Sequence, residues 1–237
     1  MPIEQVSIRN YKSLKNLSLK MEPFMVFVGP NNSGKSNILD AFRFLADLMR
    51  DHDFQGGIRK RGGSKQIVSD GDLGQAISLK LHGSLGVEDK VKKYSYSVQL
   101  AGDQWGNCQN KKETLTLAEE EKRILLDFPS DDGMANAYDE AGIKTGGFGG
   151  GYTRLYLSQF TDRHRYRVIC QLSYEVQSWA FFNLLPPLMR EPLPVHRQGA
   201  LQSSGDNLAV VIHTLQSEEP QRFQEIVDIL RTPIPCV

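Results

Sequence analysis

The chain has 237 residues, 40% of them hydrophobic, and its 28 Lys and Arg residues are balanced by 28 Asp and Glu residues. The size suits one large domain or two small ones, and the zero net charge excludes a global positive field that would attract nucleic acid. Any contact with DNA must therefore come from a local patch. Cys108, Cys170 and Cys236 lie far apart and form no CxxC or Cys/His cluster, which argues against structural zinc and a disulfide framework.

The N-terminus gives no sign of export. Its first ten residues, MPIEQVSIRN, lack the apolar core of a signal peptide, and no apolar run of the chain approaches the length that spans a bilayer. We therefore expect a cytoplasmic protein without a membrane partner.

Two short strands are predicted at the start of the chain. Residues Ile3 to Arg9 alternate between apolar and polar side chains, and so do residues Leu14 to Met21. Such alternation is typical of strands with one buried face. Asn10 to Ser13 is predicted to form the turn between them. The run Met25 to Val28 is continuously apolar, which predicts a third strand that is buried on both faces.

A phosphate-binding motif follows this run. Residues 29–36 read Gly-Pro-Asn-Asn-Ser-Gly-Lys-Ser, which fits G-x-x-x-x-G-K-[ST], and the next apolar residues recur at helical spacing. Glycines let the loop amides point inward at phosphate oxygens, and the helix N-terminus adds partial positive charge there. In this motif Lys35 reaches the β- and γ-phosphates and the Ser36 hydroxyl binds Mg²⁺. The residues predicted to bind phosphate are Gly29, Asn31, Asn32, Ser33, Gly34, Lys35, Ser36 and Asn37.

The stretch from Val6 to Leu45 resembles a known family. Its strand end Ile-Arg-Asn-Tyr-Lys-Ser, its loop Gly-Pro-Asn-Asn-Ser-Gly-Lys-Ser-Asn and its helix Ile-Leu-Asp-Ala-Phe look like the opening of RecF/SMC/OLD-type ATPases. These are ABC-type P-loop ATPases of DNA repair, chromosome maintenance and phage defence. The resemblance implies ATP and Mg²⁺ as cofactors, and it makes Asn10, Tyr11 and Lys12 candidate adenosine contacts. A solvated hairpin turn is the equally weighted alternative for these three residues.

Residues Asp51 to Asp72 are polar and glycine-rich, and we interpret them as a linker. The segment carries four basic residues, Arg59, Lys60, Arg61 and Lys65. We favour a solvated loop over a phosphate or DNA contact, because short charge runs usually lie in solvent. The resemblance also implies a glutamine after the first helix that positions metal and water. The candidates are Gln55, Gln66 and Gln75, of which we favour Gln66 because an apolar pair follows it.

Residues Ala76 to Phe128 predict an antiparallel β-lobe. They contain four stretches with alternating or continuous apolar residues, separated by glycine or charged turns. The last stretch ends at Asp127 like a Walker B strand, but Phe128 stands where the catalytic glutamate is required, so we reject that interpretation. Residues Ser130 to Tyr152 are rich in Gly and Asp, and we expect an exposed, mobile loop there.

Helices are predicted in the last third of the chain. Apolar residues recur at helical spacing between Leu155 and Trp179, and again between Glu218 and Leu230. Another helix is predicted between these two, with Asp206 or Asn207 as its N-cap. Residues Leu201 to Asp206 have the look of an ABC signature, but helix capping explains them better, and no Asp-Glu pair follows.

Together these features predict an α/β fold, the N-terminal part of a P-loop NTPase of the ABC/RecF-like head type. We divide the chain into a nucleotide-binding core (1–72), an antiparallel β-lobe with a glycine-rich loop (73–160) and a C-terminal helical segment (161–237). This segment stops before a signature or Walker B motif. A P-loop ATPase needs a carboxylate on Mg²⁺ and a residue that orients water, so the catalytic residues are unknown.

The expected function is that of an ATP-binding head whose hydrolysis requires a missing C-terminal half or a self-dimer, with DNA as an unproven partner. Two alternatives stay open. One is a nucleotide-dependent interaction module without catalysis, and the other is an inactive truncated fragment.

Overall fold

The computed structural model describes residues 3–50, 54–88, 90–118, 122–130, 133–149, 152–194, 197 and 199–231. The chain divides after Trp179 into two compact units, which we call the first and second units. The first unit carries the described strands and the phosphate loop, and the second carries the last three described helices.

The described strands form a single antiparallel sheet. In chain order they are β1 (Ile3–Tyr11), β2 (Leu14–Lys20), β3 (Ile77–Val87), β4 (Lys90–Gly102), β5 (Cys108–Ala118), β6 (Lys122–Phe128), β7 (Ala135–Tyr138) and β8 (Lys144–Phe148). Their order across the sheet is β2-β1-β3-β4-β5-β6-β7-β8. The two predicted N-terminal strands and the antiparallel strands predicted in residues 76–128 are confirmed. Because β1 pairs with β3, they share one sheet.

Helices flank the sheet and make up the second unit. The first unit contains α1 (Lys35–Arg50), α2 (Phe54–Arg59), α3 (Ser64–Ile67) and α4 (Arg167–Ser178), with 3-10 turns at Ser69–Gly71 and Tyr156–Gln159. The second unit contains α5 (Pro186–Met189), α6 (Leu208–Glu218) and α7 (Pro220–Arg231). None of these described helices is both long and apolar enough to cross a bilayer.

The core of the first unit lies between one face of the sheet and its helices. Alternation along β3 buries Leu79 and Leu81. The helical spacing of apolar residues on α1 and α4 buries Phe44, Leu45 and Leu172. Each such side chain contributes about 1.5–3 kcal/mol when it leaves water, so this layer is the main source of stability in the unit.

The far end of α1 is tied to the end of α4. Arg50, the last residue of α1, donates from Nε to the carbonyl oxygen of Gln177 at 2.6 Å and from Nη2 to the carbonyl oxygen of Trp179. These carbonyls lie at a helix C-terminus, where intrahelical partners are missing. The Trp179 ring also packs edge-on against Phe42 of α1, with centroids 5.6 Å apart. The chain therefore leaves the first unit at a point fastened to α1.

The apolar run before the phosphate loop is not the buried strand that its composition predicts. The structure assigns no strand to Met25–Val28, and Phe24, Val26 and Val28 are 83%, 66% and 90% exposed. An apolar run becomes a buried strand only when neighbours satisfy its backbone on both sides. The eight described strands pair with one another instead, so the prediction fails for lack of a pairing partner.

The linker predicted between Asp51 and Asp72 is structured over its described residues, from Phe54 onward. It forms α2, α3 and a 3-10 turn, and Phe54, Ile58 and Ile67 are buried. Gly57 lets α2 approach α1 closely, because a Cβ at this position would lie 3.2 Å from Cδ2 of Leu48. The linker interpretation is wrong because the glycines serve close packing here, and not only chain flexibility.

The loop predicted between Ser130 and Tyr152 contains a β-hairpin over its described residues. Strands β7 and β8 pair in antiparallel register, and Ala135 and Ala137 are buried. Asp139 organises the turn, because its Oδ1 accepts hydrogen bonds from the amides of Ala141 and Ile143, both at 2.9 Å. The prediction of a mobile loop is wrong because short strands of small residues give no strong alternation signal.

A buried carboxylate joins the sheet to the following segment. Glu113 of β5 is fully buried. Its Oε1 accepts from the Tyr96 hydroxyl at 2.9 Å and the Leu157 amide at 2.8 Å. Its Oε2 accepts from Nδ2 of Asn110 and the Tyr156 amide, both at 2.7 Å. Burial raises the pKa of Glu113, although the four donors oppose that rise.

The second unit contains the two predicted helices α6 and α7. Asn207 occupies the N-cap position of α6, but without a side-chain capping bond. Its Oδ1 accepts from the Gln202 amide at 2.8 Å, and its Nδ2 donates to the Ala200 carbonyl at 2.9 Å. The predicted cap therefore holds the preceding loop. On α7, Ile226 and Ile229 are 46% and 70% exposed, so this helix presents an apolar side to solvent.

We predict that Glu113→Leu lowers the free energy of unfolding of the first unit by about 3 kcal/mol, because it leaves the buried amides of Tyr156 and Leu157 without acceptors. Urea unfolding followed by circular dichroism measures the change. The matched control is Glu22→Leu at an exposed position, for which we expect a change within about 0.5 kcal/mol. Equal effects of the two substitutions would contradict a role for the buried carboxylate.

Candidate nucleotide-binding site

The phosphate motif forms a tight loop at the start of α1. Residues Gly29 to Ser33 are exposed, whereas Gly34 is buried. Asn32 and Gly34 adopt the left-handed backbone region, with φ of 65° and 90°. The amides of Asn37 and Ile38 both donate to the Gly34 carbonyl, at 3.0 and 3.1 Å. The loop therefore ends in the first turn of a 16-residue helix, whose N-terminus favours anions.

The side chain of Lys35 folds back over the loop. Its Nζ donates to the carbonyl oxygens of Gly29 and Pro30 at 2.8 and 2.6 Å, and to Oγ of Ser33 at 3.2 Å. Three oxygen atoms of the loop thus bind the Lys35 ammonium group. In P-loop proteins that bind nucleotide, phosphate oxygens are the partners of this ammonium group. This arrangement brings Lys35 together with Gly29 and Ser33, and binding of phosphate by these residues stays a prediction. Ser36 lies beside it on α1 and is exposed.

The turn between β1 and β2 packs against the loop. Asn37 donates from Nδ2 to Oγ of Ser13 at 2.8 Å. A Cβ on Gly34 would lie only 2.8 Å from the same oxygen. Glycine is therefore required at position 34 both by its positive φ and by the close approach of Ser13. The sequence motif identifies Gly34 but does not identify Ser13, which the hairpin brings to it.

The structure places the three candidate adenosine contacts on this turn in different environments. Tyr11 is fully buried, its ring stacks on Phe44 with centroids 5.3 Å apart, and its hydroxyl donates to Asp40 at 2.7 Å. The Tyr11 ring is thus a core group, and its contact with adenosine stays a prediction. Asn10 donates from Nδ2 to the Ala76 carbonyl at 3.1 Å. Adenosine contact by Asn10 or Lys12 stays a prediction.

A charged cluster lies behind the loop, and the sequence patterns missed it. Asp40 accepts from Lys12 Nζ at 2.6 Å and from Arg61 Nε at 3.1 Å, and Arg61 also pairs with Asp47 at 2.9 Å. The Arg61 side chain is only 6% exposed, so the prediction of a solvated basic loop is wrong at Arg61. One sequence feature could have indicated this cluster. Asp40 and Asp47 are seven residues apart, so they lie on one side of α1, where a single basic side chain can reach both.

Burial and pairing set the protonation of this cluster. Burial by itself would raise the pKa of Asp40, but the hydrogen bonds from Lys12 and Tyr11 and the charges of Arg61 and Lys12 outweigh it and lower that pKa. Burial and the neighbouring Asp40 raise the pKa of Tyr11. The carboxylate is therefore ionised and the phenol is protonated, so Tyr11 donates and Asp40 accepts.

The three candidates for the metal-positioning glutamine differ in their contacts. Gln55 forms a two-bond clamp on Cys108, since its Nε2 donates to the carbonyl at 2.7 Å and its Oε1 accepts from the amide at 3.1 Å. Gln75 donates to Asp72 at 2.9 Å. Gln66 is exposed on α3, and its role as a metal ligand stays a prediction. Within the described part of the chain, no group of three or more His, Cys, Asp or Glu residues is placed to hold a metal ion.

Comparison with known proteins identifies the family. A family model described as an AAA ATPase domain matches residues 1–221. The chain belongs to this AAA ATPase family. Membership in an AAA ATPase family implies nucleotide binding.

Individual relatives match shorter stretches. The chromosome partition protein Smc of Methanocaldococcus jannaschii is 41% identical over 69 residues, which is 27% of this chain and 6% of that protein. The DNA replication and repair protein RecF of Renibacterium salmoninarum is 35% identical over 74 residues, 31% of this chain and 19% of that protein. The Old nuclease of Escherichia phage P2 is 47% identical over 45 residues, 19% of this chain and 8% of that protein. The predicted resemblance to RecF, SMC and OLD proteins is confirmed, and the matched stretches span less than a fifth of each relative.

We predict that Gly34→Ala lowers the free energy of unfolding of the first unit by about 1–3 kcal/mol, because alanine is strained at this φ and its Cβ would meet Ser13. The matched control is Gly29→Ala, because Gly29 has no positive φ and its Cβ would lie farther, 3.2 Å, from the nearest atom, the Ser33 hydroxyl oxygen. Urea unfolding of both variants measures the difference. A loss at Gly29 as large as that at Gly34 would contradict the requirement for glycine at position 34.

Proposed function

We propose that this AAA ATPase domain is the ATP-binding head of a RecF/SMC/OLD-like ATPase. The observation that carries the proposal is the loop of residues 29–36, which folds at the N-terminus of α1 with the Lys35 ammonium at its centre. The β- and γ-phosphates of ATP replace the oxygens that now hold Lys35. The loop amides and the side chains of Asn31, Asn32 and Asn37 contact the remaining phosphate oxygens.

Ser36 and Mg²⁺ complete the phosphate site in this proposal. Ser36 is the first residue after Lys35 on α1, and its hydroxyl is exposed beside the loop. The P-loop motif assigns this hydroxyl to Mg²⁺, which would supply positive charge to offset that of the phosphates. Gln66 is the proposed second protein ligand or water-positioning group, through its place on the exposed side of α3.

Hydrolysis in this proposal requires a further polypeptide segment, from a C-terminal half or from a second copy. The apolar run that leads into the loop supports this, since Val26 and Val28 are largely exposed. An exposed apolar run without backbone partners is a site where another strand can pair. A segment that pairs with it would lie beside the loop and would supply the carboxylate for Mg²⁺ and the group that orients water.

We infer that the complete protein acts on DNA, in the cytoplasm, in repair, chromosome maintenance or phage defence. The support is the nature of the relatives: a chromosome partition protein, a DNA replication and repair protein and a phage nuclease. The basic residues of the 59–65 segment differ in their exposure, and so in whether they are candidates for a contact with DNA. Arg61 is buried in its ion pairs, whereas Lys65 is exposed on α3 and is the better candidate for a DNA phosphate contact.

A nucleotide-dependent interaction module without catalysis is the second candidate function. One observation favours it: Asp40, the acidic residue that follows the loop in α1, has its carboxylate engaged by Lys12, Tyr11 and Arg61. A carboxylate that is held by three donors is a poor base for activating water. In this case ATP would order the turn and the loop without being consumed by the isolated chain.

We predict that Lys35→Ala weakens ATP binding about 10- to 100-fold, because it removes charge-assisted hydrogen bonds worth about 1.5–3 kcal/mol. Isothermal titration with MgATP measures the affinity. The matched control is Lys90→Ala, an exposed lysine on the hairpin between β3 and β4, which should bind ATP as the wild type does. Unchanged affinity in Lys35→Ala would overturn the proposed phosphate site.

A second prediction tests whether a second copy of the chain completes the site. If a second copy completes the site, ATP turnover per chain rises with protein concentration, because dimers form by mass action. If the missing group lies in another polypeptide segment or if the chain is an interaction module, ATP binds without turnover at every concentration. Phosphate release across a concentration series distinguishes these outcomes, with Lys35→Ala as the control for contaminating ATPase activity.

A further inference from the structure

The Asp40 carboxylate joins three parts of the chain that are distant in sequence. It lies on α1 four residues after Ser36, so the two residues share one side of the helix. Its Oδ2 accepts from the Tyr11 hydroxyl and the Lys12 ammonium at 2.7 and 2.6 Å, and its Oδ1 accepts from Nε of Arg61 at 3.1 Å. The helix is thereby bonded both to the β1–β2 turn and to the connection between α2 and α3.

The turn that Asp40 holds is also bonded to the segment Ser64–Gly71. The Lys12 amide donates to the Ile67 carbonyl at 2.8 Å, and the Ser69 hydroxyl donates to the Lys12 carbonyl at 2.7 Å. Tyr11 and Val68 form an isolated antiparallel bridge. Contacts therefore run in a closed ring from α1 through the turn to Ser64–Gly71 and back through Arg61 to α1.

The same turn touches the phosphate loop. Ser13 accepts from Asn37 at 2.8 Å and lies against Gly34. These two residues flank Lys35 and Ser36, which the proposed function assigns to phosphate and Mg²⁺. A ligand that draws Lys35 and Ser36 toward its own oxygens therefore acts on the contacts of Ser13, and through them on the turn.

We propose that Asp40 is a positioning residue that transmits nucleotide binding at the phosphate loop to the segment Ser64–Gly71. The inference rests on the proposed ATP-binding function. Asp40 keeps the turn in register with α1, so that a displacement of the loop moves the turn and the segment bonded to it. Without the carboxylate, Lys12 and Tyr11 lose their acceptor on the helix, and the turn no longer follows α1.

Hydrogen exchange with and without MgATP tests this relay. The amides of Gln66, Val68 and Gly71 donate to the carbonyls of Gly63, Ser64 and Val68, in the segment or directly before it, so their exchange reports its local opening. In the wild-type chain we expect MgATP to slow exchange about threefold or more both in residues 29–37 and in residues 64–71. In Asp40→Asn we expect slowing at the loop and none in residues 64–71, with ATP affinity within about threefold of the wild type.

Two further variants show whether Asp40→Asn acts by interrupting transmission to residues 64–71 or by a general loss of stability. Asp47→Asn is the matched control, because it removes the 2.9 Å pair with Arg61 and leaves the Lys12 and Tyr11 bonds to Asp40 in place. We expect it to keep the ATP-dependent slowing in residues 64–71. Tyr11→Phe removes only the hydroxyl and keeps the stacking on Phe44. It should fold even if Asp40→Asn does not, and it should show a reduced response in residues 64–71.

Three results overturn the inference. One is slowing at residues 29–37 but not at residues 64–71 in the wild-type chain, which would mean that binding is not transmitted. Another is a wild-type response of residues 64–71 in both Asp40→Asn and Tyr11→Phe, which would mean that the carboxylate is not the link. Absence of ATP binding by the wild-type chain overturns the proposed function itself, and the titration arm identifies that result separately.

Discussion

The ion pairs of one carboxylate hold the nucleotide-binding side of the first unit together. Asp40 is half-buried, and burial of a lone charge would be costly. Lys12, Tyr11 and Arg61 approach it from two different chain segments and meet that cost with three hydrogen bonds. The arrangement of β1, α1 and the 54–71 segment around the phosphate loop depends on this convergence.

Much of the first unit follows from local sequence patterns. The alternation in Ile3–Arg9 and in the β-lobe predicts strands that the structure contains, and the helical spacing after Lys35 predicts α1. These patterns work because each strand or helix has one face on the core and one in solvent, which fixes the period of its apolar residues. The phosphate loop is identified equally well, since its glycines and its lysine are required by local geometry.

The errors have a common physical origin, which is tertiary context. Met25–Val28 has the composition of a buried strand, but a strand also needs a neighbour, and composition cannot supply one. The 54–71 segment has the composition of a linker, yet Phe54, Ile58 and Ile67 find apolar surface to cover. The cluster around Asp40 joins residues that are 21 to 29 positions apart, a separation at which local patterns carry no information.

The contacts of Arg50 have a mechanical consequence. Helix α1 has 16 residues, so it spans about 24 Å from the phosphate loop to Arg50. At its far end Arg50 donates hydrogen bonds to the carbonyls of Gln177 and Trp179, where the chain leaves the first unit. A helix is stiff along its axis, so α1 fixes the distance between the phosphate loop and this exit point. The end of the first unit is thus set at a constant separation from the nucleotide-binding side.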